Sequence, residues 1–166
     1  MIALLRSLWN DRAGSPSVDL ALTLPILLVM TVGVLQLGIA FLANSGLRNA
    51  VESGARYATV IISPTSKSYP ADADIYSNIT GHLFGVNPLG TATTASNPTE
   101  CGTNTGTKYS GAVTGTSDTY SFVICHGTSG SLSFVDVTGT YPVRMTLGFI
   151  STPKFNLSYT RRAYQL

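Results

Sequence analysis

Charged residues are scarce in this chain, because Asp, Glu, Lys and Arg make up only 11% of its 166 residues. A soluble domain usually carries about 25%. The formal net charge is only +2, so the chain lacks the basic field that nucleic-acid binding requires. It also lacks a phosphate-binding loop, a carboxylate pair, and any nucleophile paired with one of its two histidines. We therefore expect no enzyme, no catalytic residues, no cofactor and no metal site.

The scarcity of charge is concentrated near the N-terminus, where 24 consecutive residues from Leu20 to Ala43 carry no ionisable side chain. A helix of this length extends about 36 Å, which is enough to cross a hydrocarbon layer of about 30 Å. Soluble helices are seldom apolar on every side, so the run is predicted to span a membrane. It is longer than the core of a signal peptide, and Phe41 and Ala43 make a poor small-residue cleavage site. We expect the span to be retained.

Two motifs flank this run. The first, at residues 12–25, has small residues, a short spacer, Asp19, then Leu-Ala-Leu and a proline within the span. The second is Gly54-Ala55-Arg56-Tyr57-Ala58. Their order and spacing resemble the N-terminal segment of TadE-like pseudopilins, which are minor pilin-like subunits of the tight-adherence (Tad, or Flp) pilus system.

The resemblance implies processing by a prepilin peptidase, an aspartic protease of the membrane, between Gly14 and Ser15. Asp19 would become the fifth residue of the mature chain, although the family usually has Glu there. Its carboxylate could pair with a new α-amine and set the axial register during assembly. The alternative is that Asp19 is solvated at the headgroups or favours the positive N-terminal end of the helix.

The chain is predicted to have four segments. They are a cytoplasmic leader at 1–14, a transmembrane helix at 15–43, a helix extension at 44–62 and an extracytoplasmic domain at 63–166. Arg6 and Arg12 favour a cytoplasmic N-terminus. The resemblance implies a single-pass protein of the bacterial inner membrane, with its domain in the periplasm or outside the cell.

The domain is predicted to be α+β, with one short helix packed on about four antiparallel strands. The helix is expected to be capped by Asp72 or Asp74 and to end near Phe84, with His82 on its surface. Residues 87–119 are rich in Thr, Gly, Ser and Asn, and are predicted to form an irregular exposed loop. The strands are predicted at 120–125, 132–138 and 141–149, with a fourth run at 155–159, and with a hairpin turn at Gly139-Thr140.

The only two cysteines are Cys101 and Cys125. An even number of cysteines in an exported domain favours one disulfide, and the alternative is two buried thiols. A zinc site with His82 and His126 is disfavoured, because the spacing matches no zinc pattern.

The leading hypothesis is a minor pilin-like subunit, cleaved by the peptidase, that joins other pilin-like subunits in assembling an adhesive pilus or a related secretion apparatus. Its expected partners are the membrane, the peptidase and those subunits, and no nucleic acid. The alternative is an uncleaved, signal-anchored envelope domain that binds a surface ligand. An anchored exported enzyme is the third and weakest hypothesis.

Overall fold

The computed structural model describes residues 16–60, 69–144, 146–147, 150–151 and 154–165, and the side chains of 19–60, 69–144 and 154–165. The predicted leader, Gly14 and Ser15 lie outside these residues, as does the end of the predicted helix extension at residues 61–62.

The longest element is a continuous helix of 42 residues, α1 (Pro16–Tyr57), which includes Pro25. It ends before the predicted boundary at residue 62. The amide of Val60 bonds to the carbonyl of Tyr57 at 3.0 Å, a three-residue turn that tightens the chain after the helix. Residues 59–62 are Thr-Val-Ile-Ile, and β-branched side chains of this kind lower helix propensity.

The second helix, α2 (Asp72–Gly81), is shorter than predicted and buries Ile75 and Ile79. The prediction of an aspartate cap is wrong. Ala71 is the N-cap residue, and no side chain makes a capping hydrogen bond. Asp72 lies in the first turn, where its negative charge suits the helix dipole, but its carboxylate bonds to the sheet instead.

The sheet confirms the α+β prediction. Five antiparallel strands lie in the order β1-β2-β3-β4-β7, and β5 and β6 form a separate small hairpin. The strands are β1 (Thr93–Ser96), β2 (Thr105–Ala112), β3 (Thr119–Ser129), β4 (Leu132–Val143), β5 (Thr146–Leu147), β6 (Ile150–Ser151) and β7 (Phe155–Gln165). Both helices pack on one face of the five-stranded sheet, which we call the helix face, and the opposite side is the outer face.

The predicted irregular loop at residues 87–119 is wrong, because it contains β1, β2 and a short 3₁₀ helix at Thr99–Cys101. Its few apolar residues suffice because the two helices cover only one face of the sheet. The outer face carries a row of hydroxyl residues aligned across all five strands. They are Thr93, Ser110, Ser121, Thr140 and Ser158.

The predicted turn at Gly139-Thr140 is also wrong, since both residues lie inside β4. Gly139 is needed for packing, because a β-carbon there would lie 2.7 Å from Cγ2 of Val51 and 2.9 Å from Cδ1 of Leu47. The chain reverses before β4 rather than within it, and the turn between β3 and β4 includes Gly130, with φ of 64°. The predicted strand 141–149 is therefore divided between β4 and β5, and its residues 145, 148 and 149 lie outside the described part of the chain.

The core lies between the sheet and the C-terminal part of α1. Leu47, Val51 and Ala55 of that helix are almost fully buried. The facing strands β3 and β4 contribute fully buried side chains such as Phe122 and Val137. The domain is thus built directly on the last four turns of α1.

Candidate assembly site on the long helix

The helix α1 has two different environments along its length. From Leu20 to Leu42 its large apolar side chains are exposed, and Phe41 has 71% of its surface accessible. From Ala43 to Ala58 the side chains on one side are buried against the domain. Within the described residues, one helix, at Asp19–Tyr57, is long and apolar enough to cross a membrane by length and composition. The exposed half needs an apolar environment that the domain does not supply.

The motif that follows the span packs the helix onto its neighbours. A β-carbon at Gly54 would lie 2.3 Å from Cγ1 of Ile79, so the missing side chain lets α1 approach α2. Ala55 is buried, and Tyr57 is half-buried against the core. Arg56 points outward with 80% of its side chain accessible, and its Nη2 lies 3.2 Å from Oε1 of Glu52. An exposed pair of this kind contributes only about 0.3–0.5 kcal/mol. The small residues of the motif therefore pack, and the arginine is solvated.

Asp19 lies in the first turn of α1 and is exposed. Thr23 Oγ1 donates a hydrogen bond to the backbone carbonyl oxygen of Asp19 at 2.9 Å, and this bond does not involve the carboxylate. Among the described residues, no cation pairs with this carboxylate. The carboxylate thus lies in the first turn of the helix, at the start of its apolar part.

Two loops of the domain meet α1 where the helix changes from exposed to buried. Phe84 follows α2, and its backbone touches the helix at Gly46, where a β-carbon would lie 1.9 Å from the Phe84 carbonyl oxygen. The second contact is at the start of β7, where Phe155 lines an apolar cavity of about 140 Å³. The cavity is lined by Leu37, Ala40, Phe41, Asn44, Phe155 and Leu157.

One buried carboxylate holds the two ends of the segment that contains β5 and β6. Asp118 is only 3% exposed. Arg144 Nη2 donates to its Oδ1 at 2.8 Å, Arg144 Nε donates to its Oδ2, and Lys154 Nζ lies 3.6 Å from Oδ1. The hydrogen bonds from Arg144 keep the pKa of Asp118 below its ordinary value, despite the opposing effect of burial. The carboxylate thus closes the base of this segment beside α1.

A second polar cluster joins α2 to the sheet. His126 Nε2 donates to Asp72 Oδ1 at 2.6 Å, and Thr107 Oγ1 donates to Asp72 Oδ2 at 2.6 Å. Burial raises the pKa of Asp72, but the hydrogen bonds from His126 and Thr107 outweigh it and bring the pKa below its ordinary value. The Thr107 hydroxyl and the His126 imidazole both bind the Asp72 carboxylate rather than each other. This arrangement ties elements together and lacks the nucleophile–base contact of acyl-transfer enzymes.

The predicted disulfide is present between Cys101 and Cys125. It joins the short 3₁₀ helix to β3 on the outer face, where both residues pack with Val123. His82 is exposed at the end of α2, as expected, with Nδ1 2.8 Å from the Asn78 carbonyl oxygen. In the described part of the chain, no three His, Cys, Asp or Glu residues are grouped to hold a metal ion.

The outer face also carries a polar concavity of about 350 Å³ at the β1–β3 end of the sheet. Its lining includes Thr93, Lys108, Ser110 and Ser121, which present hydroxyl groups and one ammonium group. The Lys108 ammonium already pairs with Oε1 of Glu100, so the hydroxyl groups suit a hydroxylated ligand better than an anionic one.

Comparison with known proteins bears on α1 rather than on the domain. The family model described as TadE-like protein matches residues 14–56. The N-terminal segment of this chain is similar to TadE-like proteins. The match confirms the resemblance, and it contains Asp19 and the packed residue Gly54 but covers only about a quarter of the chain. Searches of curated proteins and of solved structures found no match. The family suggests a Tad pilus-associated protein.

Sequence reasoning missed the Asp118 and Asp72 clusters, and it missed the two phenylalanines at the helix junction. Asp72 and His126 are 54 residues apart, so no local spacing could reveal their contact. One signal was available for Asp118: Arg144 and Lys154 bracket an uncharged stretch at 145–153. Two cations in that position are compatible with a shared acidic partner, but their spacing does not identify Asp118.

Proposed function

We propose that this chain is a minor pilin-like (pseudopilin) subunit that takes part in assembling a Tad/Flp-type adhesive pilus or a related secretion apparatus. The observation that carries the proposal is the TadE-like match at residues 14–56. The matched segment coincides with a helix whose first half is exposed and apolar and whose second half carries the domain. The helix is then a bilayer anchor in the inner membrane before assembly and a docking surface for other subunits during it.

Processing by a prepilin peptidase between Gly14 and Ser15 is part of this proposal. It would place a new α-amine one residue before α1 begins at Pro16. The Asp19 carboxylate, one helical turn further on, is available for such an amine in the same or a neighbouring subunit. An unpaired charge at the centre of a membrane helix costs about 2.5–3.5 kcal/mol and less near the interface, so burial between subunits favours pairing.

The exposed half of α1 also suits contact with other helices. Gly33 and Gly38 have open space around them, since a β-carbon at either would meet nothing within 4 Å. Small residues let neighbouring helices approach closely in membranes. We assign the domain a structural role and no catalytic one, because its polar clusters bind its own elements together.

The processing step can be tested by N-terminal sequencing and intact-mass measurement of the protein purified from its native host. The wild-type chain is expected to begin at Ser15. Gly14→Phe should retain the leader, because a bulky side chain blocks close approach of the protease to the backbone. Gly33→Ala is the matched control and should be processed normally. Wild-type protein that retains residues 1–14 would contradict the proposal.

The polar concavity on the outer face favours a second candidate function, an uncleaved envelope domain that binds a hydroxylated surface ligand. The same sequencing experiment separates the two, because this function needs no cleavage after Gly14. Under the binding function, Lys108→Ala should abolish ligand attachment and leave the membrane anchor unchanged.

A further inference from the structure

The underside of the domain, where α1 emerges from it, carries exposed apolar side chains. Among the described side chains outside α1, only five large apolar residues are exposed: Val60, Phe84, Leu132, Phe155 and Tyr164. Two of them, Phe84 and Phe155, flank α1 where it becomes exposed. We propose that these two side chains enter the lipid interface, so that the domain is seated on the bilayer. The inference rests on the proposed anchoring of α1 in the membrane.

Phe84 and Phe155 reach the same level of α1 from different elements. Phe84 touches the helix at Gly46, and Phe155 lines the cavity with Leu37 and Phe41. The helix residues from 37 to 46 span only about 14 Å. Phe84 is 44% exposed and Phe155 is 37% exposed. Both residues are therefore exposed at the level where a bilayer around α1 would begin.

The apolar surface of the span continues onto the domain at this level. Phe41 is exposed on the helix and also lines the cavity beside Phe155 and Leu157. Of the described residues that line this cavity, all are apolar apart from Asn44. The lipid that covers Phe41 would therefore also cover Phe155, which is why we assign a bilayer and not a second protein to this surface.

The charges near Phe155 agree with a headgroup environment. Arg144 and Lys154 are 44% and 57% exposed, and they share the single carboxylate of Asp118. The three groups carry one net positive charge beside the first residue of β7. A positive charge near an anionic membrane surface is favourable, and aromatic and basic residues are common interfacial anchors.

The opposite end of the sheet provides an internal control. Leu132 begins β4, beside Ser133, which pairs with Gln165. Gln165 Nε2 donates to the carbonyl of Ala58 at 3.0 Å, so this end lies level with the C-terminal end of α1. Ala58 is about 22 Å along the helix from Ala43. Leu132 is 44% exposed, the same fraction as Phe84.

The test uses the full chain in vesicles of phosphatidylcholine and phosphatidylglycerol. Four variants, each with one added cysteine, are made: Phe84→Cys, Phe155→Cys, Leu132→Cys and Leu28→Cys. The added cysteine is labelled with an environment-sensitive fluorophore under non-reducing conditions, which leave the native disulfide intact. Quenching is measured with spin-labelled lipids that carry the nitroxide in the headgroup region or deep in the acyl chain. Aqueous iodide gives the complementary measurement, and far-UV circular dichroism confirms that each variant is folded.

The expected result is a loss of fluorescence with the headgroup quencher at positions 84 and 155, and with the acyl-chain quencher at position 28. Position 132 should be quenched by iodide alone. If position 28 is quenched but 84 and 155 behave like 132, the seating is wrong and the anchor stands. If only one of 84 and 155 is quenched by lipid, seating on both sides of α1 is overturned. If position 28 is also quenched only by iodide, the membrane anchoring in the proposed function fails.

Discussion

The close packing of α1 on α2 gives a quantitative test of the motif that follows the span. In Gly54→Ala the new β-carbon would lie 2.3 Å from Cγ1 and 2.9 Å from Cδ1 of Ile79. Overpacking of a fully buried side chain costs about 1–3 kcal/mol. Alanine gains about 1 kcal/mol over glycine in a helix. We expect Gly54→Ala to lower the free energy of unfolding by about 0–2 kcal/mol, the difference between these effects.

A double-mutant cycle isolates the contact. Ile79→Ala alone should cost about 2–5 kcal/mol, since it leaves a cavity in the core. In the double variant, the clash at residue 54 is absent and the new methyl group partly fills that cavity. The loss should therefore be smaller than the sum of the single losses, with a coupling of about 1–3 kcal/mol.

The assay is urea unfolding of the full chain in detergent micelles, followed by circular dichroism. Gly81→Ala is the matched control, because Gly81 lies at the end of α2 and a β-carbon there would meet nothing within 4 Å. That variant should be neutral or slightly stabilising. Equal stability of Gly54→Ala and Gly81→Ala, or additive losses in the cycle, would refute a close contact between the two helices at Gly54.

Three further predictions concern the domain. Gly139→Val should lower the free energy of unfolding by about 1–3 kcal/mol in the same urea assay, because its side chain would meet packed neighbours in the core, and an unchanged midpoint would contradict this. Reduction of the disulfide between Cys101 and Cys125 should cost about 3.5 kcal/mol on the chain-entropy model, so equal melting temperatures with and without reductant would contradict it. Acid should destabilise the domain, because the folded pKa values of Asp72 and Asp118 lie below their unfolded values near 3.8. This stabilisation is fully present above the unfolded values and is lost as the pH falls through the folded values, so a midpoint independent of pH between about 5 and 2 would contradict it.

The long helix and the α+β class could be predicted from the sequence because they depend on strong, local patterns. An uncharged run as long as Leu20–Ala43 strongly favours a membrane-spanning helix. The pair Glu52 and Arg56 has the spacing that a helix brings together, and the structure contains it. The end of α1 at Tyr57 was less predictable, because the β-branched residues that follow it continue the apolar pattern.

The strands β1 and β2 were missed because their sequences have little apolar periodicity. β1 is Thr-Thr-Ala-Ser, and all four residues are exposed. It is held by antiparallel pairing to β2, which buries Tyr109 on the helix face. Pairing with neighbouring strands therefore stabilises β1 and β2, whose local sequences do not predict strands.

Gly139 shows why a glycine between two alternating runs is ambiguous. A turn needs glycine for its backbone conformation, and a close contact needs it for the absence of a side chain. The contact with Leu47 and Val51 joins residues about 90 positions apart, so local spacing cannot distinguish the two. Asp72 presents the same problem, because its cap position was plausible locally and its partners lie on distant strands.

The assembly role is tested by counting surface pili in the native host after deletion of the gene and complementation. Deletion should remove the pili or sharply reduce them, and wild-type and Asp19→Glu chains should restore them, because both carry a carboxylate at residue 19. Asp19→Ala should not restore them. Unchanged pili in the deletion strain, with unchanged attachment of the cells to a surface, would contradict the assembly role.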